Sequence, residues 1–176
     1  MKITVAQINP VIGDIEANTQ KVLDSIAIAQ NAKSDIVLFP ELTLCGYPPQ
    51  DLVYHHTFID KMEEVLQTIA EHSQNIMTVV GLARPNLGPG ERGLSNSAAI
   101  IIDQKLVGFQ DKWLLPNYDI FNERFYFDPG EKTQTFTYKG KKIGVLICED
   151  IWQHSGYVSS RYDRDPVLEM EKLKPD

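Results

Sequence analysis

Three residues whose side chains can together perform covalent hydrolysis follow apolar, strand-like segments of the sequence. Glu41 comes after Ile-Val-Leu-Phe-Pro, Lys112 after Leu-Val-Gly-Phe-Gln-Asp, and Cys148 after Ile-Gly-Val-Leu-Ile. In open α/β sheets, sites form beyond the carboxyl ends of strands, where loops converge. We therefore expect these three side chains to meet at one edge of a sheet.

A carboxylate, an amine and a thiol suit the hydrolysis of an amide. The sulfur of Cys148 attacks the carbonyl carbon and forms a thioester, which replaces one difficult step with two easier ones. Glu41 takes the thiol proton, returns it to the departing ammonia and then activates water. The ammonium group of Lys112 and a backbone N–H stabilise the oxyanion of each tetrahedral intermediate.

The residue types alone leave other interpretations open. A cysteine that ends a buried strand is usually an inert, small apolar residue. A glutamate after Phe-Pro can cap a loop, and a lysine after a strand is commonly solvated. Cys45 lies in a loop beside Gly46 without an apolar strand before it, so we favour Cys148 as the nucleophile. His154 follows Cys148 by six residues and is the alternative base, that of a Cys–His hydrolase.

Apolar periodicity predicts the elements that must position these residues. Helical spacing indicates one helix over residues 16–32 and a second that buries Phe58 and Met62. The predicted strands are residues 2–8, 35–39, 76–82, 96–102, 105–110, 133–138 and 141–148, the last four forming two hairpins. Alternating strands and helices followed by hairpins predict an α/β layered fold around a mixed sheet.

Composition narrows the class of protein. With 17 Lys and Arg against 24 Asp and Glu, the 176-residue chain has a net charge of −7, and it shows no basic stripe for a nucleic acid. The longest apolar runs are strand-length, far short of the roughly 20 residues of a membrane-spanning helix. The N-terminus lacks the features of a signal peptide. Two cysteines are too few for a disulfide framework, so we expect a cytoplasmic protein.

Three ordered motifs resemble those of the nitrilase superfamily of carbon-nitrogen hydrolases. They are FPELTLCGY at residues 39–47, DKWLLPNY at residues 111–118 and GVLICEDIW at residues 144–152. The resemblance implies an αββα sandwich with mixed β-sheets. It also implies a catalytic triad of Glu41, Lys112 and Cys148.

Within that superfamily, the sequence is similar to the glutaminase domains of glutamine-dependent NAD⁺ synthetases. The similarity lies in residues 46–52, 115–119 and 148–152. It implies hydrolysis of the L-glutamine side-chain amide, with the ammonia passing to a synthetase domain that amidates deamido-NAD⁺. The glutaminase domain is then expected to use no metal or cofactor, and ATP and Mg²⁺ belong to the synthetase domain. The superfamily also implies a homo-oligomer. The acidic charge and the short apolar runs predict no nucleic-acid or membrane partner.

The resemblance assigns further site residues position by position. They are Tyr47, Tyr118 and Phe121 as aromatic walls of the glutamine site, Glu123 as a glutamate beside the lysine and the substrate, and the backbone N–H of Glu149, which with Lys112 forms the oxyanion hole. Without the resemblance, other interpretations stay open: Tyr47 packs beside Pro48, Phe121 and Phe125 belong to the core, and Glu123 pairs with Arg124 on a solvated turn.

The sequence departs from that of the glutamine-dependent NAD⁺ synthetases in two ways, and both affect the expected domain organisation. Nothing in the sequence resembles the pyrophosphate-binding loop of the synthetases, so we expect the synthetase domain to be absent from this chain. Family domains continue further, and we expect residues 1–176 to be the N-terminal portion of a glutaminase domain, incomplete at the C-terminus. Two alternatives stay open: a stand-alone amidase or carbamoylase, and an inactive truncated fragment or scaffold that associates through open sheet edges.

Overall fold

A mixed five-stranded sheet organises the protein, which the computed structural model describes over residues 1–155 and 162–176. Its strands, adjacent in chain order, are β1 (Ile3–Val5), β2 (Ile36–Leu38), β3 (Met77–Pro85), β4 (Leu94–Ile102) and β5 (Lys105–Asp111). β1, β2 and β3 are parallel, and β4 runs antiparallel to both β3 and β5. The carboxyl ends of β2, β3 and β5 therefore lie at one edge, together with the start of β4.

Two long helices cover one face of this sheet. They are α1 (Ile15–Asn31) and α2 (His56–His72), and each connects two parallel strands. Asp14 caps α1, because its carboxylate accepts a hydrogen bond from the N–H of Ala17 at 3.0 Å. Met62 is fully buried between α2 and the sheet, and Phe58 packs against the same core, as the helical spacing predicts.

A hairpin covers the opposite face of the sheet. Its strands are β6 (Thr135–Tyr138) and β7 (Lys141–Gly144), and Phe136 and Tyr138 pack on the apolar side chains of β2, β3 and β4. Two short helices follow, α3 (Trp152–Ser155) and α4 (Pro166–Lys172). The order of layers is thus helices, sheet and hairpin sheet.

The strand that leads to Cys148 is shorter than the sequence predicts. The ladder between β6 and β7 ends at Gly144, and residues 145–147 continue beyond it. The N–H of Ile147 donates at 3.1 Å to the side chain of Asp150 rather than to a neighbouring strand. Cys148 then begins a 3-10 helix that spans Cys148–Ile151.

None of the helices within residues 1–155 and 162–176 is long and apolar enough to cross a membrane.

Candidate active site

The ammonium group of Lys112 lies between two carboxylates. Lys112 directly follows β5, and its side chain has no exposed surface. Its Nζ donates to Oε1 of Glu41 at 2.7 Å, and to Oε1 and Oε2 of Glu123 at 2.8 and 3.0 Å. Glu123 is therefore a partner of Lys112 rather than of Arg124.

The loop that carries Glu41 lies directly on β3 at Gly81. The N–H of Leu44 donates to the carbonyl oxygen of Gly81 at 3.0 Å. A Cβ atom at Gly81 would come within 2.4 Å of the backbone nitrogen of Leu42 and 2.9 Å of the carbonyl carbon of Glu41. The missing side chain of Gly81 thus allows this close approach and sets the position of Glu41 at the sheet edge.

Cys148 occupies a tight backbone turn. Its φ is +47°, in the left-handed region that side-chain-bearing residues rarely adopt. The turn presents an exposed cysteine at the first position of a 3-10 helix. The N–H of Glu149, next in the chain, bonds to no backbone or side-chain oxygen of the described residues, as expected at the start of a helix.

The side chain of Asp150 joins the turn of Cys148 to the loop of Lys112. One carboxylate oxygen accepts from the N–H groups of Trp113 at 3.0 Å and Leu114 at 2.9 Å, and the other accepts from Ile147. Asp150 is almost completely buried. Burial raises its pKa to about 6, against the opposing effect of the three N–H donors.

The charges of Glu41, Lys112 and Glu123 act on the thiol of Cys148. Although Cys148 keeps solvent access, the protein atoms around its sulfur partly desolvate the thiol and raise its pKa to about 12; the charge of Glu41 adds to this rise, and the charge of Lys112 opposes it. Burial by itself lowers the pKa of Lys112, but the charges of Glu41 and Glu123 outweigh it and raise that pKa above its usual value. Burial also raises the pKa of Glu123, although Lys112 counteracts the effect. The thiol is therefore protonated at neutral pH and needs a base.

The alternative nucleophile, Cys45, and the alternative base, His154, both contact other residues. Cys45 is fully buried in the core, and its Sγ contacts the carbonyl oxygen of Leu42 at 3.5 Å. Burial raises the pKa of Cys45 to about 12. The ring of His154 pairs with Asp165 at 3.2 Å. Glu41, by contrast, lines the same cavity as Cys148, and its charge acts on the thiol, so it is the candidate base.

The predicted aromatic residues form a group beside these charges. Phe121 lies with its ring centroid 6.4 Å from that of Tyr47 and 5.7 Å from that of Tyr118. The hydroxyl of Tyr47 donates to Glu123 at 2.9 Å. The hydroxyl of Tyr118 donates to the buried carboxylate of Glu149 at 2.9 Å. The structure thus places the predicted aromatic residues around the carboxylates.

A cavity of about 260 Å³ opens beside Glu41 and Cys148. Apart from these two residues and Ser97, its lining is apolar or glycine and comes from β2, residues 39–40, β3, β4 and residues 145–147. Lys112, Glu123 and the three predicted aromatic residues are not among its lining residues, so the cavity reaches the site from the side of Glu41 and Cys148.

Two residues that the sequence did not single out complete the site. The amide nitrogen of Asn96 donates to Glu41 at 2.6 Å and to Glu123 at 3.3 Å. Asp150 makes the three backbone contacts described above. The available signals were an asparagine at the start of an apolar strand and an aspartate two residues after the cysteine.

The chain is similar to proteins of known activity. Residues 2–163 match the family described as carbon-nitrogen hydrolase. The chain is 39% identical, over 96% of its length, to a glutamine-dependent NAD⁺ synthetase of Synechocystis sp., of which it covers 31%. It is 38% identical to the enzyme of the same description from Thermotoga maritima, over 86% of its length and 26% of that enzyme.

Solved structures agree with this similarity. The glutamine-dependent NAD⁺ synthetase of Acinetobacter baumannii matches with a TM-score of 0.86 and 35% identity, over 99% of this chain and 31% of that one. An amidase from Nesterenkonia sp. matches with a TM-score of 0.72 and 23% identity, over 86% of this chain and 56% of that one, and supports the fold alone. The chain thus spans between a quarter and a third of the length of these synthetases. Because the family match extends over most of its sequence, this chain belongs to the carbon-nitrogen hydrolase family and has the nitrilase fold.

Proposed function

We propose that residues 1–176 belong to the glutaminase region of a glutamine-dependent NAD⁺ synthetase and that Cys148 is its nucleophile. The observation that carries the proposal is Lys112, which is held between Glu41 and Glu123 beside an exposed cysteine. The similarity to curated synthetases supports L-glutamine as the substrate.

In the proposed first half-reaction, the side-chain amide carbon of glutamine lies next to Cys148. Since the thiol is protonated at neutral pH, Glu41 accepts its proton while the sulfur bonds to the amide carbon. The electron pair of the carbonyl bond moves to the oxygen. Lys112 and the free N–H of Glu149 stabilise that oxyanion. When the carbonyl re-forms, the carbon–nitrogen bond breaks, and the proton on Glu41 passes to the departing ammonia.

The second half-reaction consumes the thioester. Glu41, again ionised, takes a proton from a water molecule as the water oxygen bonds to the thioester carbon. The same donors stabilise the second oxyanion. The carbon–sulfur bond then breaks, glutamate leaves, and the proton returns from Glu41 to Cys148. Lys112 keeps its proton throughout, because two carboxylates stabilise its charge.

The surrounding residues receive binding roles in this proposal. Tyr47, Tyr118 and Phe121 form the walls that contact the carbon chain of glutamine, and Glu123 orients Lys112. The ammonia serves a synthetase domain outside this chain, where ATP and Mg²⁺ support the amidation of deamido-NAD⁺. We also propose a cytoplasmic location and a homo-oligomer, and the two unbridged cysteines agree with a reducing compartment.

Intact mass after exposure to an electrophilic glutamine analogue, such as a diazoketone, tests the proposal. We expect one adduct on the wild-type chain and on Cys45→Ala, and none on Cys148→Ala. Equal loss of the adduct in both variants would contradict the choice of nucleophile. Ammonia release from glutamine, compared with other amides and N-carbamoyl compounds, tests the substrate. A preference for the latter compounds would replace the glutaminase with an amidase or carbamoylase.

A further inference from the structure

We propose that Asn96 is a positioning residue that commits one oxygen of Glu41 to binding and leaves the other oxygen to act as the base. The inference rests on the proposed role of Glu41 and adds to it which oxygen receives the proton. Asn96 belongs to none of the three motifs. It lies near the start of β4, at the edge where β2 and β5 end.

The side-chain amide of Asn96 is buried between two carboxylates. Only 1% of the residue is exposed. Its Nδ2 donates to Oε1 of Glu41 at 2.6 Å and to Oε2 of Glu123 at 3.3 Å. Among the residues that the structure describes, the two carboxylates share one cation, Lys112, so these groups together carry excess negative charge. The two N–H bonds of one amide partly compensate for that excess.

The oxygen of the Asn96 side-chain amide supports the orientation in which the amide nitrogen faces the two carboxylates. The Oδ1 atom of Asn96 is buried and accepts no hydrogen bond from the residues that the structure describes. Turning the amide by half a rotation would place this oxygen against two carboxylate oxygens. A buried carbonyl without a donor costs free energy, so its presence here indicates that the contacts of the nitrogen outweigh the loss.

The two oxygens of Glu41 consequently differ. Oε1 receives the ammonium group of Lys112 at 2.7 Å and the amide of Asn96 at 2.6 Å. No nitrogen of the described residues donates to Oε2. Cys148 and Glu41 line the same cavity. Oε2 is therefore the atom that takes the proton from the sulfur.

The backbone of Asn96 has a separate role, which a side-chain substitution leaves intact. Its carbonyl oxygen accepts the N–H of Lys112 at 2.9 Å, within the ladder that continues from β4 and β5. A change of the side chain thus alters the donors to Glu41 and Glu123 without removing the bond that places Lys112.

The test measures alkylation of Cys148 by iodoacetamide as a function of pH, which does not require that glutamine be the substrate. In this reaction the sulfur–carbon bond forms, iodide leaves with the electrons of the carbon–iodine bond, and the thiol proton passes to Glu41. The titratable groups that face Glu41 are Lys112, Glu123, Cys148, Tyr47 and Cys45. A Cys45→Ala background removes the second thiol.

We expect Asn96→Ala to slow alkylation at neutral pH by roughly tenfold, a part of the 10²- to 10⁴-fold typical of general-base assistance. The acid limb of the rate profile should move to higher pH, because carboxylates that lose a donor bind protons more tightly. The isosteric Asn96→Asp should move the limb further, since it adds a third carboxylate. Glu41→Gln provides the reference for complete loss of the base.

Asn86→Ala is the matched control, because the amide of Asn86 also donates to a carboxylate, that of Asp128, at 3.1 Å outside the site. It should leave both the rate and the acid limb unchanged. Wild-type profiles in both Asn96 variants, with slow alkylation in Glu41→Gln, would overturn the role of Asn96 alone. Wild-type reactivity in Glu41→Gln would instead overturn the proposed base. Unfolding of both Asn96 variants, seen by circular dichroism, would make Asn96 a structural residue and contradict the proposal.

Discussion

The carboxylate of Asp150 accepts the backbone N–H of Trp113 at 3.0 Å. Trp113 directly follows Lys112, and Asp150 lies two residues after Cys148. The same carboxylate also binds the N–H of Ile147, which precedes Cys148. One side chain therefore holds together the backbone on both sides of the proposed nucleophile and the backbone that follows the proposed oxyanion donor.

Asp150→Asn should change how stability depends on pH. The pKa of Asp150 is raised from 3.8 to about 6. The folded state then binds more protons than the unfolded state between these values, so this residue's contribution to stability falls as pH rises from about 4 to 6. The total is about 3 kcal/mol on the scale of 1.36 kcal/mol per pKa unit. Urea unfolding of wild type and Asp150→Asn across that range measures the difference.

The change of stability with pH that we expect from Asp150 has a definite direction. The stability of wild type relative to Asp150→Asn should decrease from pH 4 to pH 6, on the linkage relation for a raised carboxyl pKa. A constant difference between the two proteins would mean that Asp150 ionises as it does in the unfolded chain.

Lys112→Met should destabilise the fold by about 3–5 kcal/mol, because it leaves the buried carboxylate of Glu123 and the partly exposed carboxylate of Glu41 without their cation. It should also slow thioester formation by roughly 10²- to 10³-fold, the typical effect of losing an oxyanion donor. Adding Glu123→Gln removes one of the uncompensated charges, so the double variant should regain stability but not activity. Lys61→Met, at an exposed pair with Glu64, is a control that should change little. Recovery of activity in the double variant would show that Lys112 is structural.

Glu41→Gln should lower the pKa of the Cys148 thiol while it reduces turnover. The charge of Glu41 adds to the rise of that pKa to about 12, so its removal should lower the pKa. Desolvation, the larger cause, remains, so the thiol stays protonated at neutral pH and its alkylation there is still slow without the base. Lys112→Met should have the opposite effect on the thiol. Thiolate absorbance in the Cys45→Ala background follows both titrations. A rise of the thiol pKa in Glu41→Gln would contradict the electrostatic account of the site.

Gly81→Ala should displace the loop of Glu41. The added Cβ would lie 2.4 Å from the nitrogen of Leu42 and 2.7 Å from the carbonyl oxygen of Pro40, and neither atom belongs to a flexible side chain. We expect a loss of about 1–3 kcal/mol of stability, together with slow alkylation of Cys148. Gly88→Ala is the control, because its Cβ would meet only the side-chain oxygen of Asn86 at 3.3 Å. Normal alkylation in a folded Gly81→Ala protein would show that Glu41 tolerates the shift.

The sequence predicted the parts of the site that local pattern and motif define. Strands that end before Glu41 and Lys112 do meet at one sheet edge, and helical spacing placed Met62 in the core. The contact between Asn96 and Glu41 spans 55 residues and depends on the pairing of strands, which no local pattern contains. The strand before Cys148 is shorter than predicted, because the side chain of Asp150 accepts the backbone N–H of Ile147, which would otherwise bond to a neighbouring strand.

Helix α4 was missed for a different reason. Its seven residues are too few for a clear apolar period. The start signal was nonetheless present, since Asp165 caps the N–H groups of Val167 and Leu168 at 3.0 and 3.1 Å and Pro166 occupies the first turn. Short helices of this kind are better recognised from their caps than from their periodicity.

The backbone conformation of Cys148 sets the stability of the fold against the presence of a nucleophile at this position. A left-handed φ of +47° costs a cysteine about 1–2 kcal/mol that a glycine does not pay. Cys148→Gly should therefore be more stable than Cys148→Ala, although both lack the nucleophile, and thermal unfolding compares them directly. If so, stability alone would favour glycine at this position, and the thiol is present there at a cost in folding free energy.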